Sequence, residues 1–473
     1  MPRLPTAGLS ILALVTVVVS TAATASVPHT PWLAYGRTPD VQNAAATPIT
    51  VASAKTMREL WHASIGGLIT AQPLYAPDVR AAGRLEQLVI VASGNNTIGA
   101  LDLATGRTVW RRSLGGTPPQ VCGGKGGIES TPVIDASSHR IFVIGGNGRL
   151  VALDLASGRP IAGWSVPIIT RTDVEVVWGA LRLANGVIYV PVASWCDKGD
   201  DSGSWDGRLV QVDEKTHRIL RTFDVVPGAK NGGSIWGPGG VSIDPSDGSV
   251  WTGTANAVVN DGENLDEQKP LAERIVHLTP SLKVLGSVRE PDSNPSVLGD
   301  QGFGGTPVLF KPVGCPAMLA VNSKDLYTYV WRRDAITAAP VLRLRLGQSG
   351  SGNTFYAQPT WFPATRTLVV DGAMIPGGQG TEGAVGLRLQ KDCKFTLAWG
   401  VNIGGGVAPQ PLAAGRVGFV SATRVGKVYA IDAQTGLILN TFDTKQAAYT
   451  APMSAGSSVI VGSADGTVYS FGH

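Results

Sequence analysis

An all-β chain closed into a β-propeller of about eight four-stranded antiparallel blades is the fold this sequence predicts, and three observations predict it. A single unit of strands and turns recurs along the chain, and a proline opens most copies at one place. The composition, 60 Gly and 31 Pro in 473 residues with charged residues at only 16%, belongs to a turn-rich β chain rather than a helical one.

The unit is a short apolar strand, a Gly/Asn turn, a second apolar strand ending in Asp, and a Thr/Ser-Gly turn, often with Trp or Leu beyond. Its clearest copies are Ile98-Gly-Ala-Leu-Asp102 with Thr105-Gly106 and Trp110, Leu150-Val-Ala-Leu-Asp154 with Ser157-Gly158 and Trp164, and Val428-Tyr-Ala-Ile-Asp432 with Thr435-Gly436. Weaker copies run over Leu209-Val-Gln-Val-Asp213 and Arg274-Ile-Val-His-Leu278, and two more, ending at Val330 and Phe471, lose the Asp. The Asp accepts turn amides and the Gly supplies positive φ, so both are scaffold residues.

Proline can open a strand because the first residue need not donate to the ladder. Gln72-Pro73, Thr131-Pro132, Gly237-Pro238, Thr306-Pro307, Gln358-Pro359, Gln410-Pro411 and Ala451-Pro452 are read as such openings, and one unit near Trp178 lacks the Pro but keeps the strand Asn185-Gly-Val-Ile-Tyr-Val-Pro-Val192. These give about eight units with a period of about 50 residues, within the range of propeller blades. The last unit ends too early for four strands, so a strand around Glu59-Leu60-Trp61 is expected to complete it and close the ring.

Arg3, the apolar run over residues 9–19 and Ala23-Thr24-Ala25 read as a secretory signal peptide cleaved near Ala25, leaving residues 26–473 as a single propeller domain. An uncleaved signal anchor is the alternative; no later segment is long and apolar enough to span a bilayer. The net charge of +4 comes from scattered Lys and Arg, which excludes a nucleic-acid footprint. Cys122, Cys196, Cys315 and Cys393 allow two disulfides in an exported chain, and pairing by neighbouring repeat, Cys122 with Cys196 and Cys315 with Cys393, is preferred among the possible connectivities. Four buried thiols are the other reading. No Cys-x-x-Cys-His is present, hence no haem attachment, and there is no His-Glu-x-x-His, Walker loop or Gly-x-Ser-x-Gly elbow. A closed ring needs no partner to cover its edges, so a monomer is expected.

The succession of strand, Ala-Leu-Asp, Ala-Thr-Gly and Trp resembles the repeat of the pyrroloquinoline-quinone (PQQ) binding propellers, and Trp32-Leu-Ala-Tyr-Gly36 is similar to the segment leading into their first blade. The likeness covers nearly the whole mature chain. It implies the fold; as to activity it implies less, because the same repeat builds the outer-membrane assembly scaffold, which binds no quinone.

In the dehydrogenases of that family the quinone lies on a Trp floor and chelates calcium or a lanthanide, with an Asp as general base. By resemblance, Trp236 in Gly233-Ser-Ile-Trp236-Gly237 is the floor, Lys324 the basic residue against the quinone oxygens, and Asn256 in Trp251-Thr-Gly-Thr-Ala-Asn256 an oxygen ligand of the metal. An inter-blade packing Trp, a solvated Lys and a turn-capping Asn are the plain alternatives. The metal-binding acid would fall at Ser202, one residue from Asp201. The general base would fall at Gly302, with Asp300 two residues upstream as the substitute on the same strand face.

Loss of two carboxylates points to an exported, non-catalytic scaffold that binds a protein, a glycan or a small ligand. The retained Trp236, Asn256 and Lys324 point instead to a divergent PQQ- and Ca2+-dependent oxidoreductase of alcohols or sugars.

Overall fold

The computed structural model describes residue 1 and residues 30–116, 120–121, 124–169, 171–194, 205–227, 231–255, 271–291, 302–346, 358–374, 382–404 and 409–473. Residues 2–29, which hold nearly all of the signal peptide expected over residues 1–25, lie outside that set.

Eight antiparallel sheets form the blades. Blade 1 is Leu74–Ala81, Arg84–Ser93, Thr97–Asp102 and Thr108–Ser113, in sequence order from the inner strand outward. Blades 2 to 7 repeat this meander over residues 133–167, 182–224, 242–289, 308–345, 360–402 and 412–443. Blade 8 takes three strands from the C-terminus, and its outer strand is Arg58–Ser64, paired antiparallel to Thr467–Gly472 with Trp61 opposite Ser470. The expected closing strand is therefore present. Blades 3 and 7 each carry a fifth strand.

The middle strands are buried along their length, as in Thr97–Asp102 and Val417–Ala422, because neighbouring blades cover both faces. Outer strands bury at most two residues each, and in four blades one of them is a Trp. Trp61, Trp110 and Trp399 each lie on the turn glycine of the next blade in the ring: an added Cβ would meet the ring at 2.6 Å for Gly106, 2.4 Å for Gly158 and 2.8 Å for Gly436. Each indole N–H donates to a carbonyl of that turn, Leu103, Leu155 and Ala433, at 2.8, 3.0 and 3.0 Å. Glycine is thus required twice, for positive φ (+70° at Gly106) and for room. In blade 3 the turn has His217 at φ +60°; Trp164 packs against its ring at 4.6 Å in a tilted geometry, and its indole N–H finds no partner among the described residues. The turn aspartates behave as expected: Asp102 accepts the Thr105 amide at 3.0 Å and Asp154 the Ser157 amide at 2.8 Å.

Cys315 and Cys393 form a disulfide joining blades 5 and 6, as the sequence suggested. Cys122 and Cys196 lie outside the described residues. Among those described, no helix is long and apolar enough to cross a membrane.

One prolyl reading is corrected. The inner strand of blade 4 is Ser242–Ile243, so Val241 stands where other blades have Pro, and Pro238 faces the channel instead.

The segment from Trp32 to Ala45 is the main departure from a plain repeat. It touches the inner strands in ring order. Trp32 bridges Tyr75 of blade 1, and the carbonyls of Leu33, Pro39, Asp40 and Asn43 accept the amides of Ile134, Ile243, Leu309 and Ala413 in blades 2, 4, 5 and 7. The Arg182 guanidinium of blade 3 donates to Tyr35 O at 2.7 Å. The Tyr35 hydroxyl donates to Gln358 beside blade 6 at 3.2 Å, and the Asn43 amide to Pro452 O beside blade 8 at 3.3 Å. Fourteen residues in this path make one circuit of the axis, so the segment is a strap across the channel.

Candidate functional site

Where the inner strands begin, the channel holds a cavity of about 240 Å³. Its lining obeys a positional rule. Thr70, Glu129, Trp178, Pro238 and Tyr449 each stand three residues ahead of the residue that opens an inner strand, respectively Pro73, Pro132, Leu181, Val241 and Pro452. They come from blades 1, 2, 3, 4 and 8, which are consecutive around the ring, and Tyr35 of the strap joins them.

Glu129 is the charged residue of the lining. It is 5% exposed; Thr70 Oγ1 donates to its Oε2 at 2.9 Å, and the Gly127 amide also donates to it. Burial pushes its carboxyl above the ordinary range, and these two hydrogen bonds offset that only in part. No Lys or Arg stands among the described lining residues. The Tyr35 phenol is likewise raised by burial, so it stays protonated and serves as a donor.

The nominated residues are placed as follows. Trp236 is half-buried and packs edge-on against Trp178, ring centres 6.4 Å apart; Trp178, not Trp236, faces the cavity. Lys324 begins a turn of blade 5, and its backbone N–H donates to Gly302 O at 3.1 Å. Asp201, Asn256 and Asp300 lie outside the described residues. Their described neighbours are joined in one run: the Ser194 amide donates to Ser234 Oγ at 3.0 Å, the Ala255 amide to Ser234 O at 2.9 Å, and Ala255 bridges Gly302.

Gly302, at the position of the family's general base, has φ +90°. A Cβ there would lie 3.0 Å from Thr254 O and 3.1 Å from Glu273 Cα. A side chain at that point would be strained by the positive φ and crowded by Thr254 and Glu273.

Next to it stands a second acidic group. Glu290 is 3% exposed and accepts a hydrogen bond from the Ser323 hydroxyl, and its Oε2 has no partner among the described residues. Burial, with the Asp325 carboxylate nearby, pushes its carboxyl up to about 8. The Tyr329 hydroxyl donates to Asp325.

Sequence reading missed Glu129 and Trp178. The signal lies in the repeat, since in blades 1, 2, 3, 4 and 8 the residue three before the strand opening faces the channel.

Comparison with known proteins places this geometry. The sequence profile of the outer membrane protein assembly factor BamB family matches residues 16–223 and 390–472, more than half of the chain. No curated protein matches it significantly. Among solved structures, the quinohemoprotein alcohol dehydrogenase from Comamonas testosteroni is similar over 94% of this chain and 80% of its own, with 16% identity and a TM-score of 0.71. A europium-containing methanol dehydrogenase is similar over 94% and 98%, with 15% identity and a TM-score of 0.72. BamB from Moraxella catarrhalis is similar over 88% and 98%, with 15% identity and a TM-score of 0.56. At such identities the structural likeness is one of fold. Repeat, blade architecture and profile agree, and the chain belongs to the BamB family of PQQ-like β-propellers.

Proposed function

We propose that this protein is an extracytoplasmic propeller that binds a ligand at its strapped channel and performs no quinone redox chemistry. The observation that carries the reading is Gly302: the position that would hold the proton-accepting carboxylate has a left-handed backbone, where a Cβ would be strained and tightly crowded. The lining also suits the quinone poorly. PQQ is a polycarboxylate, and the described lining of the cavity offers it the buried acid Glu129 and no cation. Export is supported by the Cys315–Cys393 disulfide, since such bonds persist in oxidising compartments, and by the reading of residues 1–25 as a signal peptide.

The contrary reading, a PQQ- and Ca2+-dependent oxidoreductase with Asp300 as base and Trp236, Asn256, Asp201 and Lys324 around the cofactor, draws on the run from Ser194 to Gly302 that ties the neighbours of three of these residues together. Dye-linked oxidation of alcohols and sugars by the purified mature chain, with PQQ and Ca2+ in excess, tests the proposal. No turnover above the protein-free control is expected. Turnover abolished by Asp300→Asn would overturn it.

A further inference from the structure

The channel cavity has a composition that selects among ligands. One carboxyl, nine-tenths buried, faces a space walled largely by aromatic and apolar side chains: Trp178, Tyr35, Tyr449 and Leu68. Three of the other polar groups are already engaged. Thr70 donates to Glu129, Thr131 accepts the Gln72 amide at 2.8 Å, and the Tyr35 hydroxyl donates to Gln358. A sugar, which needs many matched donors and acceptors, is poorly served here. A metal ion is too, because the described residues hold no group of three carboxylate, imidazole or thiol ligands.

We propose that this cavity binds a small organic ammonium, its cationic head against Glu129 and the faces of Trp178 and Tyr35. This rests on the reading of the channel as a binding site and names the ligand class. A buried carboxyl with no counter-charge among the described lining residues is held in its neutral form at a cost, and a bound cation removes that cost by restoring the carboxylate. Aromatic faces add attraction for a desolvated ammonium. A trimethylammonium head is compact enough for about 240 Å³. Binding of a permanent cation then releases a proton from Glu129, so affinity rises with pH until Glu129 is ionised in the free protein.

The test uses choline and its neutral isostere 3,3-dimethylbutanol, titrated into the full mature chain with calorimetry and Trp fluorescence. Choline is expected to bind saturably and at least tenfold more tightly than the isostere. Glu129→Gln should weaken choline at least tenfold and leave the isostere unchanged. The Gln variant keeps the shape and removes the buried acid, so its melting temperature should not fall. Should it fail to fold, Trp178→Leu replaces it, with a loss of choline affinity expected. Equal binding of choline and the isostere, an unchanged affinity in the variant, or no choline binding at millimolar concentration would overturn the proposal. None of these outcomes revives quinone chemistry, which is judged separately by the oxidation assay and PQQ titration; PQQ turnover would sink the parent reading whatever choline does.

Discussion

Arg182 is the residue by which the strap can be tested. Its side chain is 1% exposed and reaches Tyr35 O at 2.7 Å, Gly239 O at 2.8 Å, Val241 O at 3.2 Å and Thr38 O at 3.4 Å. Burial lowers it to about 10, which still leaves it charged at neutral pH, with carbonyls rather than a carboxylate as hydrogen-bond partners. Arg182→Met keeps the apolar stem and strands the three closer carbonyls, at about 1–3 kcal/mol each. Relief from burying a charge offsets part of this. The net expectation is a loss of about 2–4 kcal/mol, or roughly 2–4 °C in melting temperature for a chain of this size. Hydrogen exchange should quicken selectively at the amides of Ile243, Leu309 and Ala413, which donate to the strap. Arg182→Lys should restore less than half of the loss, because an ammonium cannot fork to several carbonyls at once. A melting temperature within 1 °C of the parent, with exchange unchanged, would refute the view that Arg182 holds the strap.

Breaking the Cys315–Cys393 bridge by replacing both with Ser should cost about 4 kcal/mol in urea denaturation, from the loop-closure entropy of a 78-residue separation; a loss under 1 kcal/mol would contradict this. Gly106→Ala should cost about 2–4 kcal/mol, because the new Cβ meets the Trp61 ring at 2.6 Å, while Gly415→Ala, also at positive φ but with open space, should cost about 1 kcal/mol; similar melting temperatures for the two would refute the docking argument. Glu290 has a raised folded-state pKa, so the folded protein binds its proton more tightly than the unfolded chain. Stability should then fall as pH rises from the ordinary carboxyl range to about 8 and level off above it, and Glu290→Gln should flatten that slope in urea midpoints measured across pH. A slope unchanged in the variant would rule Glu290 out as its source.

The blades were legible because each must satisfy one local pattern: an apolar strand buried on both faces, an Asp that accepts turn amides, and a Gly under the neighbour's Trp. That pattern recurs, so Asp102, Asp154 and Asp432 announce their turns, and the missing fourth strand of the last blade points back to Glu59-Leu60-Trp61. Non-recurring features escaped. The strap is held mainly through its backbone carbonyls, which carry no side-chain signature, so in the sequence only Trp32 to Gly36 stands out, and only as a lead-in. Pro238 was assigned to a strand because an X-Pro step looks the same in a strand opening and in a channel-lining turn. Glu129 was passed over because a lone acid in Gly127-Ile-Glu129-Ser-Thr-Pro132 looks like an ordinary surface residue until the ring of blades turns that position inward. The likeness to quinoproteins, by contrast, was carried by residues such as Trp236, which here backs Trp178.

The most direct test of the account is calorimetric titration of the purified mature chain with PQQ in the presence of Ca2+. The account predicts no saturable heat up to high micromolar quinone, with Trp fluorescence unchanged; metal-dependent saturable binding that quenches Trp fluorescence and is lost in Trp236→Ala would contradict it.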